Sequence, residues 1–157
     1  MNALPAALAV LTFALPSGPP AQDPVQDVVE PLFEAVAAED LESASAYLVE
    51  GAMIHAMFNP DGTTGEGSVR SFPAVAYFQV VTTNYENIVF EQRTYSVADA
   101  GKTVWMEANG DLKLQTDGSP YRNRYVFKIT LDDESKITEI REWVNTVTLT
   151  QQGVPAR

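Results

Sequence analysis

The chain contains no cysteine, and its first 69 residues contain neither lysine nor arginine. Without cysteine the chain has no disulfide, no thiol nucleophile and no thiolate ligand for a metal. Its 157 residues hold 21 acidic and 10 basic side chains, and the first basic residue is Arg70. Phosphate groups would repel such an acidic chain, so we expect neither nucleic acid nor an anionic membrane surface as a partner.

The motifs that bind common metals and cofactors are also missing. His55 is the only histidine, and the chain has neither His-Glu-x-x-His nor an EF-hand spacing. No glycine-rich phosphate loop follows a predicted strand, and there is no Gly-x-Ser-x-Gly motif. We therefore expect no metal and no cofactor, and any chemistry to be a cofactor-free proton transfer.

With 45% hydrophobic residues, the chain is able to bury the core of one domain. Near its start, the apolar run Ala3–Leu15 has the length of a signal-peptide core and is too short to span a bilayer. No basic residue precedes this run, and no A-x-A cleavage site follows it. We expect residues 1–22 to be an N-terminal extension of a cytoplasmic protein whose domain spans 23–157, with secretion as the open alternative.

Helical and extended patterns occupy different parts of the domain. Helical spacing of apolar residues predicts helices over 24–36, 41–48 and 68–82, with one strand over 52–58. Alternation and turn residues then predict four strands, over 88–97, 103–114, 121–131 and 137–149. This order predicts an α+β fold with helices on one face of an antiparallel sheet.

Several short motifs accompany this order of elements: Leu48-Val49-Glu50-Gly51, Trp105-Met106-Glu107-Ala108-Asn109-Gly110, Tyr121-Arg122-Asn123-Arg124-Tyr125-Val126-Phe127, Arg141-Glu142-Trp143 and Gly153-Val154-Pro155. From about residue 24 onwards, the chain resembles the SnoaL-like branch of the nuclear-transport-factor-2-like superfamily, and most closely the phenazine-biosynthesis A/B proteins. The resemblance implies a curved sheet wrapped around helices to form a conical pocket. That superfamily includes isomerases, cyclases, hydrolases, dehydratases and binding proteins, so the function has to be argued from the site.

Glu142 is the first candidate for a catalytic group. Alternation along the last strand places Glu142 on one face with Ile140 and Val144. The resemblance implies that this face points into the pocket and that Glu142 is the acid/base glutamate of the Arg-Glu-aromatic motif. Burial there would raise the pKa of the carboxyl group. The alternative is a glutamate at the sheet edge, paired with arginine in solvent.

His55 is the second candidate, and it shares a strand face with Met53 and Met57. Counted from Tyr47, it falls where ketosteroid isomerases of the superfamily carry their general base. A histidine there would exchange protons near neutral pH. The alternative is a core histidine bonded to the backbone.

Glu107 is the third candidate, because limonene-epoxide hydrolases of the superfamily place a carboxylate at the matching position. Those enzymes bridge two carboxylates with an arginine, whereas this chain has Trp105 at the position of the bridge. The alternative is that Glu107 is an exposed strand residue.

Other catalytic residues of the superfamily are replaced in this chain. Leu32 and Phe127 replace the oxyanion-binding pair of ketosteroid isomerases, and Ala74 replaces the helix histidine of the phenazine proteins.

The remaining candidates would bind and orient a substrate. They are Asn123 and Tyr125 on the predicted strand 121–131, Asn59 in the loop that follows the predicted strand 52–58, and the apolar Trp105, Met57 and Phe127. We expect no arginine in the pocket, and therefore a small, neutral and hydrophobic substrate.

Two functions follow from these residues. In the first, the protein is a cofactor-independent isomerase or cyclase of a polyketide- or terpenoid-like intermediate, or else an epoxide hydrolase or dehydratase using the same pocket. In the second, it is a non-catalytic binding module, with His55, Glu107 and Glu142 pointing apart.

The opposite sheet face carries mixed charge and one large aromatic residue, which predicts a homodimer through that face. Its residues are Arg122, Arg124, Lys128, Glu139, Arg141 and Trp143.

Overall fold

The computed structural model describes residues 23–58 and 69–151. The predicted extension 1–22 and the candidate Asn59 lie outside these ranges. In chain order, the described elements are a π-helical turn Val25–Val29, α1 Glu30–Ala37, α2 Leu41–Ser45, β1 Leu48–Ala56, β2 Arg70–Pro73, α3 Ala74–Asn84, β3 Tyr85–Ala98, a 3-10 turn Asp99–Gly101, β4 Thr103–Leu114, β5 Pro120–Leu131, β6 Ile137–Val144 and α4 Thr146–Gln151.

The six strands form one curved, unclosed sheet in the order β2-β1-β6-β5-β4-β3. β1 and β6 run parallel, and every other neighbouring pair is antiparallel. Alternate residues of β4, β5 and β6 are buried on the inner face, against the apolar sides of α1 and α3. This arrangement confirms the predicted α+β fold, with helices lying on one side of the sheet.

The first helix begins as a π-helical turn and continues as α1. Pro31 lies in the first turn of α1. A proline is tolerated there because the first N–H groups of an α-helix have no partner within the helix. None of the helices in the described ranges is long and apolar enough to cross a membrane.

The predicted helix over 68–82 is only partly correct, because its first residues form the edge strand β2. The backbone of Pro73 is extended, with φ −54° and ψ 133°, and α3 begins at Ala74. A residue that precedes proline is also held in extended conformations, so Phe72 does not join the helix. The edge strand places Arg70 and Phe72 beside β1.

The last predicted strand is five residues too long. β6 ends at Val144, and α4 begins at Thr146. The side-chain oxygen of Asn145 accepts hydrogen bonds from the backbone N–H groups of Val147 and Thr148, at 3.1 and 3.4 Å. Asparagine is a favoured N-cap, so this residue marks the change from strand to helix. The helix brings Leu149, which is 6% exposed, back over the inner face of the sheet.

Candidate active site

A cavity of about 380 Å³ lies between the inner face of the sheet and the helices α1 and α3. Its size is within the range of sites for small organic molecules. Most of the lining is aliphatic and aromatic, with Phe33 on α1, Phe78 on α3, and Tyr125 and Phe127 on β5. Such walls favour a largely apolar ligand.

Glu142 lies in the wall of this cavity and is 6% exposed. It is paired in the sheet with Ala56 of β1 on one side and with Phe127 of β5 on the other. The backbone N–H of Met57 donates a hydrogen bond of 2.8 Å to the carbonyl of Glu142, which fixes β1 against β6 at this point. The carboxyl group is therefore held on a rigid part of the sheet and surrounded by small and apolar neighbours.

Tyr77 of α3 is the hydrogen-bond partner of this carboxyl group. Its hydroxyl group donates to Oε2 of Glu142. Phe72 and Phe78 flank the tyrosine ring, with ring centroids 5.5 and 6.5 Å away. The tyrosine thus reaches across the cavity from the helix and satisfies one buried oxygen of the glutamate.

Burial changes the acidity of both groups. Loss of water around Glu142 raises the pKa of its carboxyl from 4.5 to about 7, although the hydrogen bond from Tyr77 acts in the opposite direction. Burial, and then the nearby Glu142 charge, raise the pKa of Tyr77 well above its usual value. Near neutral pH the carboxyl group is therefore divided between its acid and base forms, while the phenol keeps its proton.

Two further tyrosines, Tyr121 and Tyr125, line the cavity from β5. Burial raises the pKa of both, so their hydroxyl groups also remain protonated. Gly110 on β4 makes room for Tyr125, because a Cβ atom there would lie 2.4 Å from the tyrosine ring. The cavity therefore has hydroxyl groups near Glu142 that are able to act as hydrogen-bond donors.

Asn123 is buried on the inner face, but it is not part of the cavity lining. Its amide N–H donates to the hydroxyl oxygen of Tyr121 at 2.8 Å and to the carbonyl of Asn145 at 3.3 Å. Its side-chain oxygen accepts from the backbone N–H of Asn145 at 3.0 Å. The predicted direct contact with substrate is therefore wrong for Asn123, which instead holds Tyr121 and the start of α4 in place.

His55 and Met57 do not face the cavity, so the predicted position of both is wrong. The buried residues of β1 are Ala52, Ile54 and Ala56, and the alternate residues lie on the outer face. His55 Nδ1 is 2.8 Å from the hydroxyl of Ser71, and its Nε2 is 3.3 Å from a carboxylate oxygen of Glu139. The prediction relied on counting from Tyr47, and the pairing of β1 with β6 shifts register between Leu48 and Met53, so the count does not preserve the face.

Glu107 and Trp105 also lie on the outer face, which corrects a second prediction. The inner residues of β4 are Val104, Met106, Ala108, Gly110 and Leu112. Trp105 is 39% exposed and stacks on Trp143, with ring centroids 5.9 Å apart. The alternation of apolar residues from Val104 to Leu112 already indicates that Glu107 faces outward. The prediction that it lies in the pocket followed instead from the similarity to epoxide hydrolases.

The sequence prediction also missed two residues of the cavity. Tyr77 is one of several aromatic residues that the sequence could not divide between core and pocket, and no arginine was expected in the cavity that Arg70 lines. No spacing rule indicates that the Tyr77 hydroxyl reaches Glu142, since the contact joins residues 65 positions apart. Within 23–58 and 69–151, no group of three or more His, Asp or Glu side chains is placed to hold a metal ion.

No protein-family model matches the chain, and no curated protein matches it in sequence. Solved structures do resemble it. An NTF2-like protein from Burkholderia xenovorans has a TM-score of 0.63 at 21% identity, covering 82% of this chain and 94% of its own. A Bacillus subtilis protein provisionally named an isomerase has a TM-score of 0.63 at 19% identity, and the match covers 82% of this chain and 93% of that protein. A Pseudomonas putida protein provisionally named a polyketide cyclase has a TM-score of 0.64 at 15% identity, and the match covers 80% of this chain and 95% of that protein. The chain therefore has the nuclear-transport-factor-2-like fold, as the resemblance in its sequence implied.

Proposed function

We propose that this protein is a cofactor-independent acid/base enzyme, an isomerase or cyclase, that moves a proton on a largely apolar small molecule. The observation that carries the proposal is the environment of Glu142, a carboxyl group 6% exposed in an aromatic cavity. Burial raises its pKa to about 7. A general acid or base works best when its pKa lies near the working pH. The names of the similar structures, an isomerase and a polyketide cyclase, agree with this class of reaction.

The chemical steps follow from the protonation states in the cavity. Ionised Glu142 removes a proton from the carbon next to a carbonyl group, and the C–H electron pair becomes part of an enolate. The hydroxyls of Tyr121 and Tyr125 stay protonated and are hydrogen-bonded to each other, so this pair has one O–H group left to donate to the enolate oxygen. In an isomerisation, Glu142 then returns the proton to another carbon. In a cyclisation, the enolate carbon attacks a second carbonyl of the same molecule, and Glu142 gives its proton to the new alkoxide.

Proton exchange on a simple ketone tests this proposal without knowledge of the natural substrate. 2-Tetralone is a bicyclic ketone with acidic α-protons and is small enough for the cavity. We expect the protein to accelerate deuterium incorporation at these positions in D₂O, measured by proton NMR. Glu142→Gln keeps the shape of the side chain and removes the base, so it should lose roughly a hundredfold or more of this rate.

The alternative hydrolase reactions have less support. A mechanism with two carboxylates requires both in one cavity, and Glu107 lies on the opposite face of the sheet. Glu142 is the only carboxylate among the described residues that line the cavity. A dehydratase using Glu142 alone would need the same proton abstraction and would also give exchange.

A non-catalytic binding module is the second candidate, and one observation favours it. That reading predicts that His55, Glu107 and Glu142 do not converge, and the first two lie on the outer face. It also predicts that ligands bind in the cavity without any exchange of their α-protons. Binding of 2-tetralone with no acceleration of exchange would therefore support the binding module over the enzyme.

We also propose that the protein forms a homodimer through the outer sheet face. Trp105 and Trp143 stack there, and Lys128 Nζ lies 5.8 Å from the centroid of the Trp105 ring. Around them, this face carries both charge signs, with Glu107, Glu139 and Arg141. Trp105 is 39% exposed on this face, and tryptophan is enriched at protein interfaces.

A further inference from the structure

Arg70 is the only basic residue among the described residues that line the cavity, and Glu142 is the only acidic one. The sequence interpretation excluded arginine from this place and on that ground expected a neutral substrate. Because Arg70 lines the cavity, the absence of arginine is no longer a reason to expect a neutral substrate. The strand that carries it, β2, is the one that the sequence pattern assigned to a helix.

The sheet register fixes the position of Arg70 relative to Glu142. Arg70 is paired with Ala56, and Ala56 is paired in turn with Glu142, so the three residues form a row on the inner face. Neighbouring strands lie about 4.8 Å apart, which puts the Cα atoms of Arg70 and Glu142 about 10 Å from each other. The side chain between them is a single methyl group. The row therefore has a cation at one end, a carboxyl group at the other, and room between them.

Ring contacts hold the guanidinium group near this row. Arg70 Cζ lies 5.3 Å from the centroid of the Phe72 ring, and Phe72 in turn contacts Tyr77. A cation over an aromatic face is attracted by the ring electrons, which stabilises its position there. A guanidinium group carries five N–H donors in a planar fork that fits a carboxylate. It is therefore able to bind an anion in addition to the contacts that it already makes.

We infer that Arg70 is an anion-binding residue of this cavity, and that the substrate is an apolar molecule bearing one carboxylate or a similar oxyanion. The inference rests on the proposed function only for the location of the reacting carbon, which lies beside Glu142. The anion binds to Arg70 at the other end of the row. The distance between the two groups sets the length of the substrate and orients its reacting carbon towards the glutamate.

Two probes of nearly equal shape test this inference. 2-Naphthoate carries a carboxylate, and 2-naphthamide replaces it with a neutral amide on the same ring system. Isothermal titration calorimetry at low ionic strength should show that the wild-type protein binds naphthoate about tenfold more tightly, because hydrogen bonds to charged groups are the stronger ones. Arg70→Met should bind both probes equally, with the affinity for the amide unchanged within twofold. The unchanged amide affinity also shows that the cavity remains folded.

Lys102→Met is the control, because Lys102 is an exposed basic residue that pairs with Asp133 and lies outside both the cavity lining and the proposed dimer face. It removes the same charge from the protein and should keep the tenfold preference. Equal affinities of wild-type protein for the two probes, or a preference that persists in Arg70→Met, would overturn the inference. If neither probe binds the wild-type protein, both the inference and the proposed use of the cavity as a binding site are overturned.

The proposed function is separable from this result. If Arg70→Met loses the preference while the wild-type protein gives no exchange on 2-tetralone, the enzyme proposal fails and the anion site stands. If Glu142→Gln abolishes exchange while Arg70→Met still prefers naphthoate, the anion site fails and the enzyme proposal stands.

Discussion

Tyr77 on α3 donates its hydroxyl hydrogen to the carboxyl group of Glu142 on β6. The contact joins a helix to the inner face of the sheet at a cavity of about 380 Å³. It stabilises the ionised form of a carboxyl group whose burial favours the neutral form. The balance between these two effects leaves the glutamate able to accept or donate a proton near neutral pH.

Replacing Tyr77 with phenylalanine should move the pH dependence of activity. The hydrogen bond from Tyr77 lowers the pKa of Glu142, so its loss leaves burial unopposed and raises that pKa above about 7. Since the ionised glutamate is the base, the rising limb of the exchange rate should shift to higher pH. The measurement is the rate of deuterium incorporation into 2-tetralone from pH 5 to 10. Tyr95→Phe is the control, because Tyr95 donates to Glu30 and does not line the cavity. An unshifted limb in Tyr77→Phe would contradict the role of this hydrogen bond.

Glu142 should make the free energy of unfolding of the protein depend on pH. Its pKa is about 7 in the folded protein and near 4.5 when unfolded, so the folded state binds more protons between these values. Its contribution to the free energy of unfolding therefore falls as pH rises from about 4.5 to 7, and then stays constant. The pKa difference corresponds to roughly 3 kcal/mol.

The comparison with Glu142→Gln isolates this contribution from that of the other carboxylates. Glutamine does not ionise, and its oxygen still accepts from Tyr77. The variant should therefore gain up to roughly 3 kcal/mol over wild type at pH 8 and little at pH 4.5. Urea unfolding at several pH values measures the difference. A constant difference across pH 4.5–8 would show that Glu142 is not buried as a neutral acid.

Substitution of His55 should leave the activity intact. The side chain lies on the outer face, where it contacts Ser71 and Glu139. His55→Ala should keep the exchange rate within about twofold and lose about 1 kcal/mol of stability, the usual contribution of one hydrogen bond. Kinetics and urea unfolding on the same sample measure both quantities. A tenfold or larger loss of rate in the folded variant would show that His55 takes part in the reaction after all.

The outer face should hold two copies together. We expect sedimentation velocity at micromolar concentration to give a dimer for the wild-type protein. Trp105→Glu places a charge at the exposed member of the tryptophan pair and should give a monomer. Val75→Glu is the control, because Val75 is 47% exposed on α3, away from this face. A monomeric wild-type protein, or a dimer that survives Trp105→Glu, would refute an interface at this face.

The sequence predicted the long strands well because their alternation is regular. β4 was predicted with its observed bounds, and β5 differs by one residue. In β6, alternation placed Glu142 on one face with Ile140 and Val144, and the family resemblance implied that this face points inward, where Glu142 is buried. Its catalytic role stays a prediction.

The errors occurred where a local irregularity or a distant contact decides the structure. In β1, Gly51 has a positive φ of 78° within the stretch where the register shifts, and this defeated a position count. β2 is only four residues long and carries no repeat long enough to read. The contact of Tyr77 with Glu142 depends on how α3 packs on the sheet, which local spacing does not encode.

The pH profile of proton exchange tests the central claim most directly. The rate of deuterium incorporation into 2-tetralone should rise with pH and reach half of its maximum near pH 7, the pKa that burial gives Glu142. In Glu142→Gln the acceleration should fall by roughly a hundredfold or more at every pH, while Glu107→Gln should match the wild type. An undiminished rate in folded Glu142→Gln, or no acceleration by the wild-type protein at any pH, would contradict the assignment of Glu142 as the group that moves the proton.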